Sequence, residues 1–187
     1  LTALGKSRLG VLASKQLLQD MEDGMYHESG KPNVVSYTTH IQGLARLGQA
    51  KEAECVLFTM TQIPDAWTWN AVLLAWIRSK SRRAPQRIEY LISVMRHRYE
   101  TGESLDKPDC RTYTYALQGW AGSKGENYAG LRADEIMKDM VNNGIAPDLP
   151  VYNTCIAAWA AGGHWKAGFR ARDIMECIER DGLTPDP

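Results

Sequence analysis

The sequence predicts an all-α fold, a right-handed α-solenoid of tandem helix-turn-helix units. Three observations carry that prediction. The dipeptide Pro-Asp or Pro-Asn recurs at Pro32-Asn33, Pro64-Asp65, Pro108-Asp109, Pro147-Asp148 and Pro185-Asp186, at intervals of 32, 44, 39 and 38 residues. The segments after the first four marks nearly repeat one another: VVSYTTHIQGLARLG, AWTWNAVLLAWIRSK, CRTYTYALQGWAGSK and LPVYNTCIAAWAAGG. Within them apolar residues fall at i, i+4 and i+7, which is one stripe of an α-helix. Self-similarity at a period of roughly 20–50 residues marks a stacked array, in which each unit buries its apolar face against its neighbours.

Residues 1–33 read as a partial leading unit, because LASKQLLQDM from Leu12 fits the column of the second helices. The first full unit, 34–65, places Tyr37, Ile41 and Leu44 in the stripe of its first helix, breaks at Gly48 and resumes with AECVLFTM from Ala53. The second, 66–109, puts Trp69, Leu73 and Trp76 in the same columns. It continues with IEYLISVM from Ile88, where Pro85 suits the first turn of a helix. The third, 110–148, repeats the columns as Tyr113, Leu117 and Trp120, breaks at Gly122 and continues with ADEIMKDM from Ala133. The fourth, 149–187, has Tyr152, Ile156 and Trp159, a break at Gly162-Gly163, then ARDIMECI from Ala171. Gly43, Ala75, Gly119 and Ala158 precede the last stripe position, as close approach of two helix backbones requires. These units form one continuous solenoid in this reading. The chain begins within a unit and stops one residue after a mark, as expected of a piece of a longer array or of ends covered by a partner.

Charge narrows the function classes. The 22 basic and 22 acidic residues cancel, whereas a chain that wraps nucleic acid commonly carries a basic excess. Neutrality therefore argues against autonomous binding along the whole length and leaves room for a local strip. The densest basic run is Arg78, Lys80, Arg82, Arg83 and Arg87, either a solvated inter-helix loop or a phosphate contact. The four cysteines, Cys55, Cys110, Cys155 and Cys177, are scattered singly and are expected to be reduced and mostly buried. The longest apolar stretch falls far short of the roughly 20 residues that cross a bilayer, so no membrane insertion is expected.

Catalytic and metal-binding patterns are absent from the sequence. His27, His40, His97 and His164 lie at different repeat positions, none with a carboxylate or cysteine at ligand spacing. The glycine-rich spots lack the preceding strand of a phosphate-cradling loop. Asp134-Glu135 reads as surface charge. No enzyme, no cofactor, no metal and no small-molecule substrate is expected. Trp76, Trp120 and Trp159 sit in the stripe and read as packing, whereas Trp67 lies outside it.

The repeated columns resemble the pentatricopeptide repeat family. VVSYTT, AWTWNA, CRTYTY and LPVYNT, each followed by an apolar helix, a second helix and Pro-Asp, match its pattern over nearly the whole chain. The resemblance implies single-stranded RNA recognition in a mitochondrion or chloroplast, at about one base per unit, in RNA processing, stability or translation. It implies that the fifth and last residues of a unit read one base together. Those pairs are Thr38 with Asp65, Asn70 with Asp109, Thr114 with Asp148, and Asn153 with Asp186. By the family's code they give the preference G-U-G-U, with C tolerated at the asparagines. A second-position side chain would sandwich the base; here Val35 is typical, while Trp67, Arg111 and Pro150 are not. Arg46 and Arg78 match a basic residue near the end of the first helix, and Gly122 and Ala161 hold those places later. In this reading the fifth-position residues, Asn70 among them, face the groove and contribute little to the fold.

Two other readings compete. Asn and Asp beside proline commonly cap helices and close turns, in any solenoid. A scaffold subunit that docks a large organellar assembly, a ribosome or a membrane complex, through protein contacts would also fit the neutral charge and the atypical second positions.

Overall fold

The computed structural model describes residues 8–25, 30–123 and 125–183, and among these the regular structure is helical, with no strand. Asp186 and His27 lie outside the described residues. Two compact units divide the chain, Leu1–Lys107 and Pro108–Pro187.

In the first unit the helices are α1 (Arg8–Glu22), α2 (Val34–Arg46), α3 (Ala50–Thr59), α4 (Ala66–Arg78) and α5 (Ala84–Glu100). The first helices α2 and α4 pack side by side, while α1 and α3 lie on α2, and α3 and α5 lie on α4. Each first helix starts because the residue after the proline caps it. Asn33 accepts from the Ser36 amide at 2.9 Å and Asp65 from the Thr68 amide at 2.7 Å, satisfying donors that a helix start otherwise strands. After α2 the chain reverses at Gly48, whose φ of 69° is left-handed. A Cβ there would stand 3.1 Å from the Arg78 carbonyl oxygen, so the turns that end α2 and α4 touch.

The second unit repeats the plan with α6 (Cys110–Ala121), α7 (Ala129–Asn142), α8 (Leu149–Gly162) and α9 (Ala167–Arg180). Helices α6 and α8 pack together, with α7 against both and α9 against α8. Asp109 and Asp148 cap α6 and α8 through the Thr112 and Val151 amides, at 2.8 and 3.0 Å. Close approach sets one residue: a Cβ on Gly130 of α7 would fall 2.3 Å from the Trp159 ring.

The stripe residues are buried as the periodicity predicts, except Ile156, which is half-buried. Two acidic residues join them. Glu54 on α3 accepts from the Trp76 indole at 2.9 Å and pairs with Arg87 of α5, whose guanidinium lies 4.3 Å from the Tyr90 ring centre. In the second unit Asp134 on α7 accepts from the Trp159 indole at 3.1 Å and pairs with Arg170 of α9 at 2.7 Å. One acid–indole–guanidinium clip thus recurs in both units. It corrects the reading of Asp134 as surface charge: the carboxylate is held under Trp159 and Arg170 because both donors converge on it. The cysteines also differ from expectation. Only Cys155 is buried, beneath Asp134, where burial above all pushes its thiol up to about 12. Cys55 is exposed because it lies on the face of α3 turned away from Ala53 and Leu57, whereas Cys110 and Cys177 are intermediate, at the rim of the stripe.

Candidate nucleic-acid interface

The second-position side chains all stand at the first turn of a first helix, in solvent. Val35 is 69% and Trp67 56% exposed, and Arg111 and Pro150 are exposed as well. One turn further along come the fifth positions, and there the four repeats diverge. Thr38 and Asn70 retain only 6% and 5% exposure, Thr114 is half-buried, and Asn153 is exposed. The expectation that Asn70 contributes little to the fold is thereby corrected, since its side chain is packed in the first unit.

The cause of burial at Thr38 is the neighbouring first helix. Its hydroxyl donates to the Val34 carbonyl at 2.7 Å and lies 2.6 Å from the Thr68 hydroxyl on α4. Thr68 in turn lies 2.6 Å from Asp65 Oδ1. The two residues of the first pair, Thr38 and Asp65, are therefore joined through Thr68. Asp65 Oδ2 has no hydrogen bond among the described residues. The Ala66 amide beside it donates to Asp106 Oδ2 at 2.8 Å, from the loop that lengthens this unit.

In the second unit Thr114 donates to the Cys110 carbonyl at 2.8 Å. Valine stands at Val151, where α4 has Thr68, so Asp148 caps α8 through the amide alone. Asp148 also bonds the Cys110 thiol, which burial, then this carboxylate, raises to about 11. Asp109 completes a capping box with Thr112. Each described last-position aspartate is thus a helix cap, as the competing reading of Pro-Asp expected.

Arg46 and Arg78 occupy the last turns of α2 and α4, where a cation also complements the helix dipole. Gly122 follows α6 and Ala161 lies in the last turn of α8. Of the basic run, Arg87 is consumed by Glu54, leaving Arg78, Lys80, Arg82 and Arg83 exposed. Among the described residues no group of three or more His, Cys, Asp or Glu is placed to hold a metal, and no helix is long and apolar enough to cross a membrane.

Comparison with solved structures decides the fold. The chain is similar to the pentatricopeptide repeat protein PPR10, solved in complex with an 18-nt psaJ RNA element, at 25% identity and a TM-score of 0.63 over 95% of this chain. This chain is pentatricopeptide repeat-like. A variant of PPR10 with three cysteines replaced by serine, bound to the same RNA element, gives the same identity, coverage and TM-score. The chain spans 25% of the length of either solved structure. No protein-family model matches it, and no curated protein matches it.

Within this pentatricopeptide repeat-like chain, sequence reasoning missed Thr68, Asp106 and the acid–indole–guanidinium clips. Thr68 had a signal, since a hydroxyl two places before the fifth position recurs in Ser36 and Thr112. The clips had one too: Glu54 and Asp134 share a column, as do Arg87 and Arg170.

Proposed function

We propose that this chain binds single-stranded RNA along the starts of its first helices, at about one base per repeat, without catalysing a reaction. The observation that carries the reading is the Thr38–Thr68–Asp65 linkage. It ties the fifth and last residues of one repeat into a single hydrogen-bonding unit beside an exposed second-position side chain. A splayed base offers donors and acceptors on its edge and a face for stacking. Val35 and Trp67 supply exposed apolar surface for the face, and Thr38, Asn70, Thr114 and Asn153 supply polar atoms for the edge. Asp65, Asp109, Asp148 and Asp186 orient them, and Arg46 and Arg78 meet phosphates. Access is more open at Thr114 and Asn153 than at Thr38 and Asn70. The role is RNA processing, stability or translation in a mitochondrion or chloroplast, a placement that rests on the resemblance to pentatricopeptide repeats.

The test is a fluorescence-anisotropy titration with short RNAs carrying G-U-G-U and the same bases in scrambled order. Tighter binding of the ordered RNA supports the proposal; equal affinity for both removes base readout, and no binding removes RNA as the ligand. A second reading, a scaffold that docks protein subunits of an organellar assembly, is favoured by one observation. Trp165, Phe169 and Met175 are exposed on and beside α9, an apolar surface that RNA readout does not use.

A further inference from the structure

We propose that the turn between α4 and α5 is a sequence-independent anchor for the RNA backbone, built from Arg78, Lys80, Arg82 and Arg83. The inference rests on the RNA-binding reading above and adds a contact that base readout does not require. All four side chains are exposed, and among the described residues none forms an ion pair or a side-chain hydrogen bond. Arg87, the fifth cation of the run, shows the contrast, because Glu54 neutralises it at close range.

The local electrostatics are left uncompensated. Helices α4, α6 and α8 each begin on an aspartate whose carboxylate meets the positive helix end. Helix α5 begins at Arg83, which makes no side-chain cap, and its first turn holds no acidic residue; α7 and α9 share that lack, but of the three only α5 follows a run of cations. Three cations, Lys80, Arg82 and Arg83, therefore crowd the positive end of a helix. Such a cluster repels itself until an anion arrives, and a chain of phosphates supplies several at once.

The backbone points the same way. Lys80 has a φ of 53°, in the left-handed region. The equivalent residues after α2 and α8 are Gly48 and Gly163, with φ of 69° and 64°. Glycine adopts that conformation without strain, and lysine does not. The lysine stands where the turn geometry alone would favour glycine.

Placement suits a backbone contact. The α4 turn touches the turn at Gly48, two residues beyond Arg46, so the cations gather at the edge where α2 and α4 both end. Thr38 and Asn70 lie eight residues before Arg46 and Arg78 on the same helices, about 12 Å along the axis at 1.5 Å per residue. A strand whose bases reach the starts of these helices can lay its phosphates against that edge. The turn after α6 begins Gly122-Ser123 and that after α8 Gly163-His164. The place of Lys80 is Lys124 after α6, outside the described residues, and Gly163 after α8, so the sequence repeats the four-cation cluster in neither turn.

The experiment uses the whole chain, the Arg82→Gln/Arg83→Gln double variant and Lys80→Gly, with the ordered and scrambled RNAs titrated across a range of salt concentrations. On single strands each phosphate contact contributes about 0.7 to the slope of log K against log[salt], so four contacts give a slope of about −2.8. The double variant should lose about 1.4 of that slope, with the ratio between ordered and scrambled RNA unchanged. Lys80→Gly should bind both RNAs more weakly while melting no lower than the parent, which separates the contact from folding. A double variant that keeps the parental slope and the parental preference overturns the anchor and leaves base readout standing. A reduced slope with equal affinity for both RNAs upholds the anchor and overturns base readout. No RNA binding by the parent overturns both.

Discussion

The hydroxyl oxygens of Thr38 on α2 and Thr68 on α4 lie 2.6 Å apart. Thr68 also reaches Asp65 Oδ1, and Thr38 reaches the Val34 carbonyl. Two hydroxyl protons thus serve three close contacts, and both outer partners only accept. The central contact gains its proton only when one hydroxyl turns away from its outer acceptor, which leaves the linkage responsive to a donor arriving at Thr38. Thr68→Val should reproduce the arrangement that Val151 already has in α8, where the aspartate caps through the amide alone. Its cost should be about 1 kcal/mol, the net worth of one hydrogen bond. Thermal melts measure that cost, and RNA titrations should show weakened preference at the first base with the other three unchanged.

Asn70 and Asn153 hold the same repeat position in different surroundings. Asn70 is buried in the first unit, whereas Asn153 is exposed on α8. Asn70→Ala should therefore destabilise by about 1–3 kcal/mol, the cost of disturbing a buried polar group. Asn153→Ala should stay within about 0.5 kcal/mol of the parent while reducing RNA affinity. Denaturant unfolding of the two variants checks the contrast. Equal destabilisation would mean that the fifth-position asparagines share one structural role.

Trp69 and Trp76 lie two turns apart on α4, yet their indoles differ. Among the described residues the buried Trp69 N–H has no hydrogen-bond partner, while Trp76 donates to Glu54. In the column of Trp69 the other repeats carry tyrosines whose hydroxyls reach Glu22, Asp139 and Asp181. Replacing either tryptophan by phenylalanine removes similar apolar area. Trp69→Phe also removes an unsatisfied donor, and Trp76→Phe takes one from a mostly buried carboxylate. Trp76→Phe should be the more destabilising by about 1–2 kcal/mol, read from the two melting midpoints.

His40 gives the first unit a pH dependence. Its ring is buried between α1 and α2 with Nδ1 2.7 Å from Ser14 Oγ. The Ser14 hydroxyl donates to the Val11 carbonyl, so the ring donates to Ser14. Burial first, and the Lys15 ammonium second, lower its pKa below the usual 6.5. A lowered histidine pKa favours the neutral ring in the folded state. Its contribution is complete above about pH 6.5 and is lost as pH falls through the folded-state value. Stability measured from pH 7.5 downward should decline below pH 6.5, and His40→Leu should flatten that decline.

Much of this was legible in the columns, and the reasons are local. Tyr37, Leu73 and Trp120 sit in stripes that follow the helical period, so sequence placed them in the core. Pro64-Asp65 announced a helix start because proline ends one helix and aspartate caps the next. Residue spacing along one helix could not show which side chain on a neighbouring helix would meet Thr38 or cover Asn70. Asp134 read as surface charge for the same reason: its partners, Trp159 and Arg170, come from helices 25 and 36 residues away in sequence. The insertion that brings Asp106 to the Ala66 amide was visible only as an interval of 44 residues, without a destination.

One base per repeat is the central claim, and Thr114→Asn tests it most directly. Thr114 is half-buried, donates to the Cys110 carbonyl and pairs by position with the capping Asp148. Affinities should be measured for four RNAs that differ only at the third base of the G-U-G-U core. The account predicts that the parent prefers G there, that Thr114→Asn prefers U, and that preferences at the other three bases stay as they were. A uniform loss of affinity across all four RNAs, or an unchanged preference for G, would contradict it.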